Sequence, residues 1–417
     1  MRMLVLNSGS SSVKFRVLDF DHETSSYEVG YGRTRLRGVV KDIGSTATFE
    51  LEVKGKSRTE TTRVIYDHQQ AVRWLFEQLE ELNSTDKSPA SLAGVEAVGH
   101  RVVHGGERFS QPVLITDSVM GEINALSELA PLHNPACLEG IRGARAILGP
   151  EVPMVAVFDT AFHQTMPTHA KVYALPYELT NRHHIRRYGF HGIAHASLAG
   201  SYFHKTGKPT ENSRLITLQL GNGCSISAIH NGQSVETSMG FTPLEGLVMG
   251  TRCGDLDPSI VSYLCQKEKV EPSEVDRWLN EQSGLLGLSG RTNDMRELLQ
   301  AADREQHEPS QLAIEVFCYR VKKYLGAYLA VLGGADAIVF GGGIGEAAPA
   351  IRRRICEGME WCGLRLDPAR NSAAIGLQPG DVTPISQDEQ PLEVYVGAAD
   401  EEAWIARETA CCLRATP

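Results

Sequence analysis

Three cations stand where small residues crowd the sequence. Lys14 follows Asn7-Ser8-Gly9-Ser10-Ser11-Ser12, Arg101 lies in Gly99-His100-Arg101-Val102-Val103-His104-Gly105-Gly106, and Arg252 lies in Gly250-Thr251-Arg252-Cys253-Gly254. Turns made of Gly and Ser let a backbone approach a ligand closely, and their N–H and O–H groups can cradle phosphate oxygens. Lys14 then supplies a point charge. Two guanidinium groups suit a carboxylate and the charge spread over a phosphoryl group in transfer. Asn7 and Glu401 are oxygen donors of the kind Mg²⁺ accepts, an ion that takes few protein ligands and keeps waters. Asp159 ends an apolar run over 152–158, where it could orient a ligand, accept a proton or cap a helix ahead of Thr160. His191 sits between Gly-flanked aromatics in Arg187-Tyr188-Gly189-Phe190-His191-Gly192. Taken singly, each has an ordinary structural reading, as a salt-bridged loop arginine or a hydrogen-bonded core histidine.

What gives these residues weight is the arrangement of the elements around them. Apolar runs at 4–6 and 13–18 flank the first small-residue loop and predict a β-hairpin. The pattern returns about two hundred residues later: a strand over 215–220, a tight loop over 221–225, a strand over 226–229, and an Asn231-Gly232 hairpin turn. Neither loop is a Walker A motif, because each leads into a strand and lacks GxxxxGK[ST]. A third strand, 335–340, runs into Gly341-Gly342-Gly343-Ile344-Gly345-Glu346, either a nucleotide site with close backbone approach or a tight structural turn. Further strands are expected at 27–32, 46–53, 95–103 and 152–158. Helices are expected at 65–82, from 131–135 through 148, over 311–332 and over 401–407. Strands alternating with helices argue for α/β layers. The reading is two related domains facing one cleft, 1–160 plus 399–417 and 161–398, with the crossover near 159–163 and a polar linker at 83–91.

Composition narrows the function. At 417 residues, 42% hydrophobic and 22% charged, the chain fits a soluble globular protein of two domains. A net charge of −10 gives nucleic-acid binding no global support, so an anionic substrate must be held by local positive charge. No apolar run is long enough for a membrane span, and no signal segment is expected. Nine scattered cysteines without metal-ligand spacing read as reduced cytoplasmic thiols.

Together these stretches, with 130–135, Phe158-Asp159-Thr160-Ala161-Phe162-His163, 187–195, 241–246, 249–258 and Gly343-Ile344-Gly345-Glu346, resemble the acetate kinases, and more broadly the short-chain acyl kinases, over essentially the whole chain. The resemblance implies the actin-like ATPase superfold (actin, sugar kinases, Hsp70; RNase H-like domains), here an α/β fold of two duplicated domains with an interdomain cleft, the second binding nucleotide. It also implies Mg²⁺-dependent phosphoryl transfer between ATP and acetate, with Mn²⁺ as an alternative ion, in a cytoplasmic homodimer without nucleic-acid or membrane partners. By matching position, Asn7 and Glu401 would bind the metal and Lys14 the nucleotide phosphates. Arg101 would hold the acetate carboxylate, Asp159 would be the catalytic acid/base residue, and His191 and Arg252 would stabilise the transition state. Val103, Leu132, Phe190 and Pro243 would line the acyl pocket. Gln219, Leu220, Gly221, Asn222, Gly223, Asp294, Met295, Arg296, Gly343, Ile344, Gly345, Glu346 and Ala347 would bind nucleotide. Because a carboxylate substrate is already ionised at neutral pH, Asp159 is expected mainly to orient ligands.

The chain departs from the family pattern on the nucleotide and metal side: Gln219 stands for a usual His, Gly341-Gly342-Gly343-Ile344-Gly345-Glu346-Ala347 for Thr-Ala-Gly-Ile-Gly-Glu-Asn, and Ala399-Asp400 for Thr-Asn. Small Gly343-Ile344-Gly345 favours ATP over pyrophosphate. Three other readings compete. One is a propionate or butyrate kinase. Another is a non-catalytic nucleotide switch of the same superfold, which leaves the two arginines without purpose. The third is a hydrolase using Cys224 or Ser225 with His191, for which no nucleophile elbow exists.

Overall fold

A computed structural model describes residues 1–9, 11–20, 32–53, 59–85, 94–131 and 133–415. Leu132, Ser10 and most of the strand expected at 27–32 lie outside them, as does most of the expected linker, whose first residues belong to the His68–Thr85 helix. The chain divides into two compact units, Met1–Phe162 with Asp400–Pro417, and His163–Ala399.

The first unit is built on eight strands: β1 (Arg2–Ser8), β2 (Val13–Asp19), β3 (Arg33–Lys41), β4 (Ser45–Val53), β5 (Thr59–Ile65), β6 (Ala97–Val102), β7 (Val113–Leu114) and β8 (Met154–Phe158), in the order β5-β4-β3-β2-β1-β6-β8-β7. β1, β6 and β8 are parallel and central. Their apolar residues are buried almost without interruption because the Asn134–Leu148 and Glu401–Ala415 helices pack on them, which is why they read as continuous apolar runs rather than alternating ones. The register sets the chemistry in a row: Asn7 lies opposite Lys14 on β2 and opposite Arg101 on β6. Arg101 in turn lies opposite Val157 on β8, two residues before Asp159.

The second unit repeats the plan. Strands β9 (Arg214–Leu220), β10 (Cys224–His230), β11 (Gln233–Thr237), β12 (Ala337–Gly341), β13 (Val382–Pro384) and β14 (Glu393–Gly397) are ordered β11-β10-β9-β12-β14-β13. This matches β3-β2-β1-β6-β8-β7 place for place, with the same antiparallel and parallel pairs. The β10–β11 turn has Asn231 at φ 54° and Gly232 at φ 74°, the type I′ geometry an Asn-Gly pair favours. The Glu308–Leu332 helix buries Ile314, Phe317, Val321, Leu325 and Leu329 and packs on β9 and β10. The Gly192–Thr206 helix is buried through Phe203 and packs on β9 and β12–β14.

Two core histidines make the first unit acid-sensitive. Burial pushes His100 down to about 3 and His104 down to about 4. Their folded values lie below the free imidazole value, so between the two the unfolded chain binds more protons and stability falls as pH drops through 6.5. Each costs about 1.5 kcal/mol between pH 6.5 and 5. His100→Phe is therefore expected to remove about that much of the loss when denaturant unfolding is compared at the two pH values. An unchanged loss would mean that His100 takes up its proton in the folded chain.

Candidate active site

In the first unit, Arg101 is the hub. Its side chain is 15% exposed, and Nη2 donates to Oδ2 of Asp159 at 2.6 Å, the Asp159 side chain being only 2% exposed. Nη1 reaches Oδ1 of Asn7 at 3.4 Å, and buried Nε has no partner among the described residues. Burial works against the Arg101 charge, but the carboxylates of Asp159 and Glu401 outweigh it and hold the guanidinium above its ordinary value. Asn7 Nδ2 donates to Oε2 of Glu401 at 3.1 Å. Burial raises the Glu401 carboxyl, opposed by Arg101 and Lys14. Asp400 accepts the Ala403 N–H at the start of the Glu401–Ala415 helix and pairs with buried Arg16, which also reaches Glu402. Those bonds fix Glu401 from both neighbours.

Asn7 and Glu401 are hard oxygen donors side by side. Among the described residues no group of three or more His, Cys, Asp or Glu could hold a metal. A cation that keeps most of its shell as water and phosphate fits this sparse set, and a structural metal does not. Asn134, fully buried, grips both backbone groups of His104, accepting its N–H and donating to its carbonyl. That fixes the turn carrying buried Val103.

In the second unit, His191 and Arg252 close on the Gly221–Gly223 turn. A Cβ placed on Gly223 would lie 3.3 Å from Cε1 and 3.4 Å from Nε2 of His191, and 3.5 Å from Nη1 of Arg252. Arg252 donates to the Pro243 carbonyl at 3.3 Å and contacts the Met249 sulfur. No carboxylate pairs with it among the described residues, and burial holds it below its ordinary value. The loop that carries it is docked on the turn: Gly250 N–H donates to the Asn222 carbonyl at 2.8 Å, and any side chain at Gly250 would collide with Asn222. Phe190 is buried and Pro243 half-buried. Cys224 is buried with its thiol pushed up to about 12, burial being the main cause, so it offers no thiolate to a hydrolase.

A cavity of about 420 Å³ opens in the same unit, lined by Gly221, Asn222, Asp294, Met295, Arg296, Gly343, Ile344 and Ala347, joined by Asn293 and Ala348. Gln219, Leu220, Gly223, Gly345 and Glu346 do not line it. Leu220 is core, Glu346 Oε1 accepts the Gly342 N–H, and Gln219 Oε1 is buried without a partner among the described residues. The volume and the mixed wall of backbone, aliphatic and amide groups, with the Asp294–Arg296 ion pair, suit a nucleoside.

A model of the acetokinase family matches residues 2–407. The chain belongs to the acetokinase family. Acetate kinase of Chloroherpeton thalassium is 48% identical over 99% of both chains. The crystal structure of Porphyromonas gingivalis acetate kinase superposes with a TM-score of 0.89 at 38% identity, covering 99% of both chains. A propionate kinase from Francisella tularensis gives 0.85 at 40%, covering 98% of both. The actin-like superfold follows from these neighbours.

Within this family member, one supporting residue had no sequence signal. Arg352 is fully buried; it donates to the carbonyls of Gly345 and Glu346 and to Asn371 and Ala374. It therefore pins the segment after β12 that borders the cavity. In the sequence it is one of three consecutive arginines, and only burial distinguishes it.

Proposed function

We propose that the chain catalyses direct, reversible phosphoryl transfer between ATP and acetate, giving ADP and acetyl phosphate. Family membership supports the enzyme class. The observation that carries the chemistry is Arg252, a half-buried guanidinium without a carboxylate among the described residues, set beside His191 at the Gly221–Gly223 turn. A carboxylate oxygen of acetate forms a bond to the γ-phosphorus. The bond from that phosphorus to the β–γ bridging oxygen breaks, and its electron pair leaves with ADP. Acetate is ionised at neutral pH, so no base is required. Arg252 and His191 meet the charge on the equatorial oxygens, and positioning and electrostatics supply the acceleration.

Arg101 holds the acetate carboxylate through the donors Asp159 leaves over, and Asp159 orients Arg101. By the family resemblance, Val103, Leu132, Phe190 and Pro243 are the residues assigned to the methyl group. Lys14 meets the nucleotide phosphates, and the 420 Å³ cavity takes the nucleoside. Asn7 and Glu401 would hold Mg²⁺, or Mn²⁺ in its place, which neutralises phosphate charge when bound.

The Francisella neighbour favours propionate as a second substrate. One methylene separates the two acids, worth about 1–3 kcal/mol of discrimination. ADP formation is measured with acetate, propionate, butyrate and no acid, and again with pyrophosphate for ATP. Acetate-dependent turnover supports the reading, and carboxylate-indifferent ATP hydrolysis overturns it. A homodimer is supported by Val172, Leu175, Tyr177 and Leu179, all exposed within one short stretch, and light scattering tests it. Nine free thiols support a cytoplasmic protein; no described helix is long and apolar enough to cross a membrane.

A further inference from the structure

We propose that Ser225 and His195 are positioning residues that keep the proton of His191 on Nε2, the nitrogen beside Gly223 and Arg252; the catalytic significance rests on the function proposed above. Four side chains form one line that runs from half-buried His191 into the core. His191 Nδ1 lies 2.8 Å from Ser225 Oγ, Ser225 Oγ lies 2.8 Å from His195 Nε2, and His195 Nδ1 lies 2.8 Å from Thr217 Oγ1. Ser225, His195 and Thr217 are wholly shielded from solvent. The fold imposes the alignment. Thr217 is on β9 and Ser225 on β10, while His191 and His195 stand four residues apart at the start of the Gly192–Thr206 helix that packs on β9. His191 itself is held at φ 58°, an uncommon backbone state for a residue with a side chain.

The single hydroxyl hydrogen of Ser225 couples the tautomers of the two imidazoles. A hydroxyl between two imidazole nitrogens gives its hydrogen to one and accepts from the other. His195 stays neutral, burial holding it well below its ordinary value with His163 and His191 adding to the effect, so it carries one proton. When Thr217 donates to Nδ1, the His195 proton sits on Nε2 and points at Ser225. Ser225 then donates to His191 Nδ1, and neutral His191 keeps its proton on Nε2. Every polar atom in the line is satisfied without bringing charge into the core. Nε2–H is the form that can donate to a phosphoryl oxygen. The reverse polarity would leave Nε2 of neutral His191 bare. Charged and titratable groups that face the line include Arg252 on the docked loop, Cys224 beside Ser225, and His163, whose ring stands edge-on to His195 at 5.8 Å and whose Nε2 donates to the Phe190 carbonyl. Ser225 is buried, so the Ser–His contact is not a nucleophile and its base.

The test combines spectroscopy and kinetics on the full-length protein. In protein labelled with ¹⁵N-histidine, with the His191 signals assigned by His191→Gln, long-range ¹H–¹⁵N correlation at pH 7.5 should show His191 protonated on Nε2 and bare on Nδ1. Ser225→Ala should lose that fixed pattern while keeping its thermal midpoint within a few degrees. Its kcat should fall about tenfold to a hundredfold, KM for acetate should hold, and a new pH dependence should appear in the imidazole range. Ser225→Thr, which keeps a hydroxyl, should recover most of kcat, and His195→Gln should behave like Ser225→Ala. A His191 proton on Nδ1 in the parent, or an unchanged tautomer pattern in both Ser225→Ala and His195→Gln, would overturn the proposal. The spectrum reads the line even if the protein proves not to phosphorylate acetate, so failure of the assigned reaction and failure of the relay are told apart.

Discussion

Arg252→Ala lowers kcat for acetyl phosphate formation by about 10³–10⁵-fold, the range set by removal of a transition-state arginine in phosphoryl transfer, and leaves the fold intact. The structural grounds are specific. Arg252 has a carbonyl and a sulfur as partners, with no carboxylate among the described residues, so its deletion strands no buried anion. Burial already holds its charge at a cost, and that cost is recovered only when an anion arrives. The expected profile is a collapse of kcat with KM for acetate changed severalfold at most and an unchanged thermal midpoint, read by coupled assay and calorimetry. Arg252→Lys should recover little, because a point charge cannot reproduce the guanidinium fork. Turnover within tenfold of the parent in Arg252→Ala would remove this residue from the chemistry.

The sequence made some parts of this molecule plain and hid others for physical reasons. The two hairpins around Asn7 and Gly221 were readable because small-residue loops between apolar runs have few structural alternatives, and β12 running into Gly341–Gly343 was readable for the same reason. β3 and β5 were not anticipated. β5, Thr-Glu-Thr-Thr-Arg-Val-Ile, is exposed at six of seven positions, and an edge strand wet on both faces has no alternation to detect. The Gly192–Thr206 helix was also missed, being buried on nearly every side from Gly192 to Phe203. A helix without a polar face has no 3.6-residue period in its hydropathy. His195, which that helix carries to Ser225, was hidden with it. The cations Arg101 and Arg252 were visible as types in Gly-rich turns. Their difference was not: one is held by Asp159 and the other by no acid among the described residues, and that depends on pairing across β6 and β8, which no local pattern encodes.

Arg101→Ala should do what Arg252→Ala does not, and damage the fold as well as the reaction. Its removal takes the charge partner from Asp159, 2% exposed, and one donor from Asn7, beside Glu401. Breaking a buried ion pair by deleting one member costs about 3–5 kcal/mol, so the thermal midpoint should fall by several degrees while KM for acetate rises at least about tenfold and kcat falls. Stability and activity can then be separated. Adding Asp159→Asn to Arg101→Ala replaces the buried carboxylate that has lost its Arg101 pairing with a neutral amide of the same shape, and much of the lost stability should return. Activity should not return, because the donor that grips the substrate carboxylate is still missing. If the double variant regained both, Arg101 would be a structural counter-ion and acetate would be held elsewhere. If it regained neither, the lost stability would not come from the buried Asp159 charge. Recovery of the midpoint alone assigns Asp159 to the orientation of Arg101, and Arg101 to the substrate.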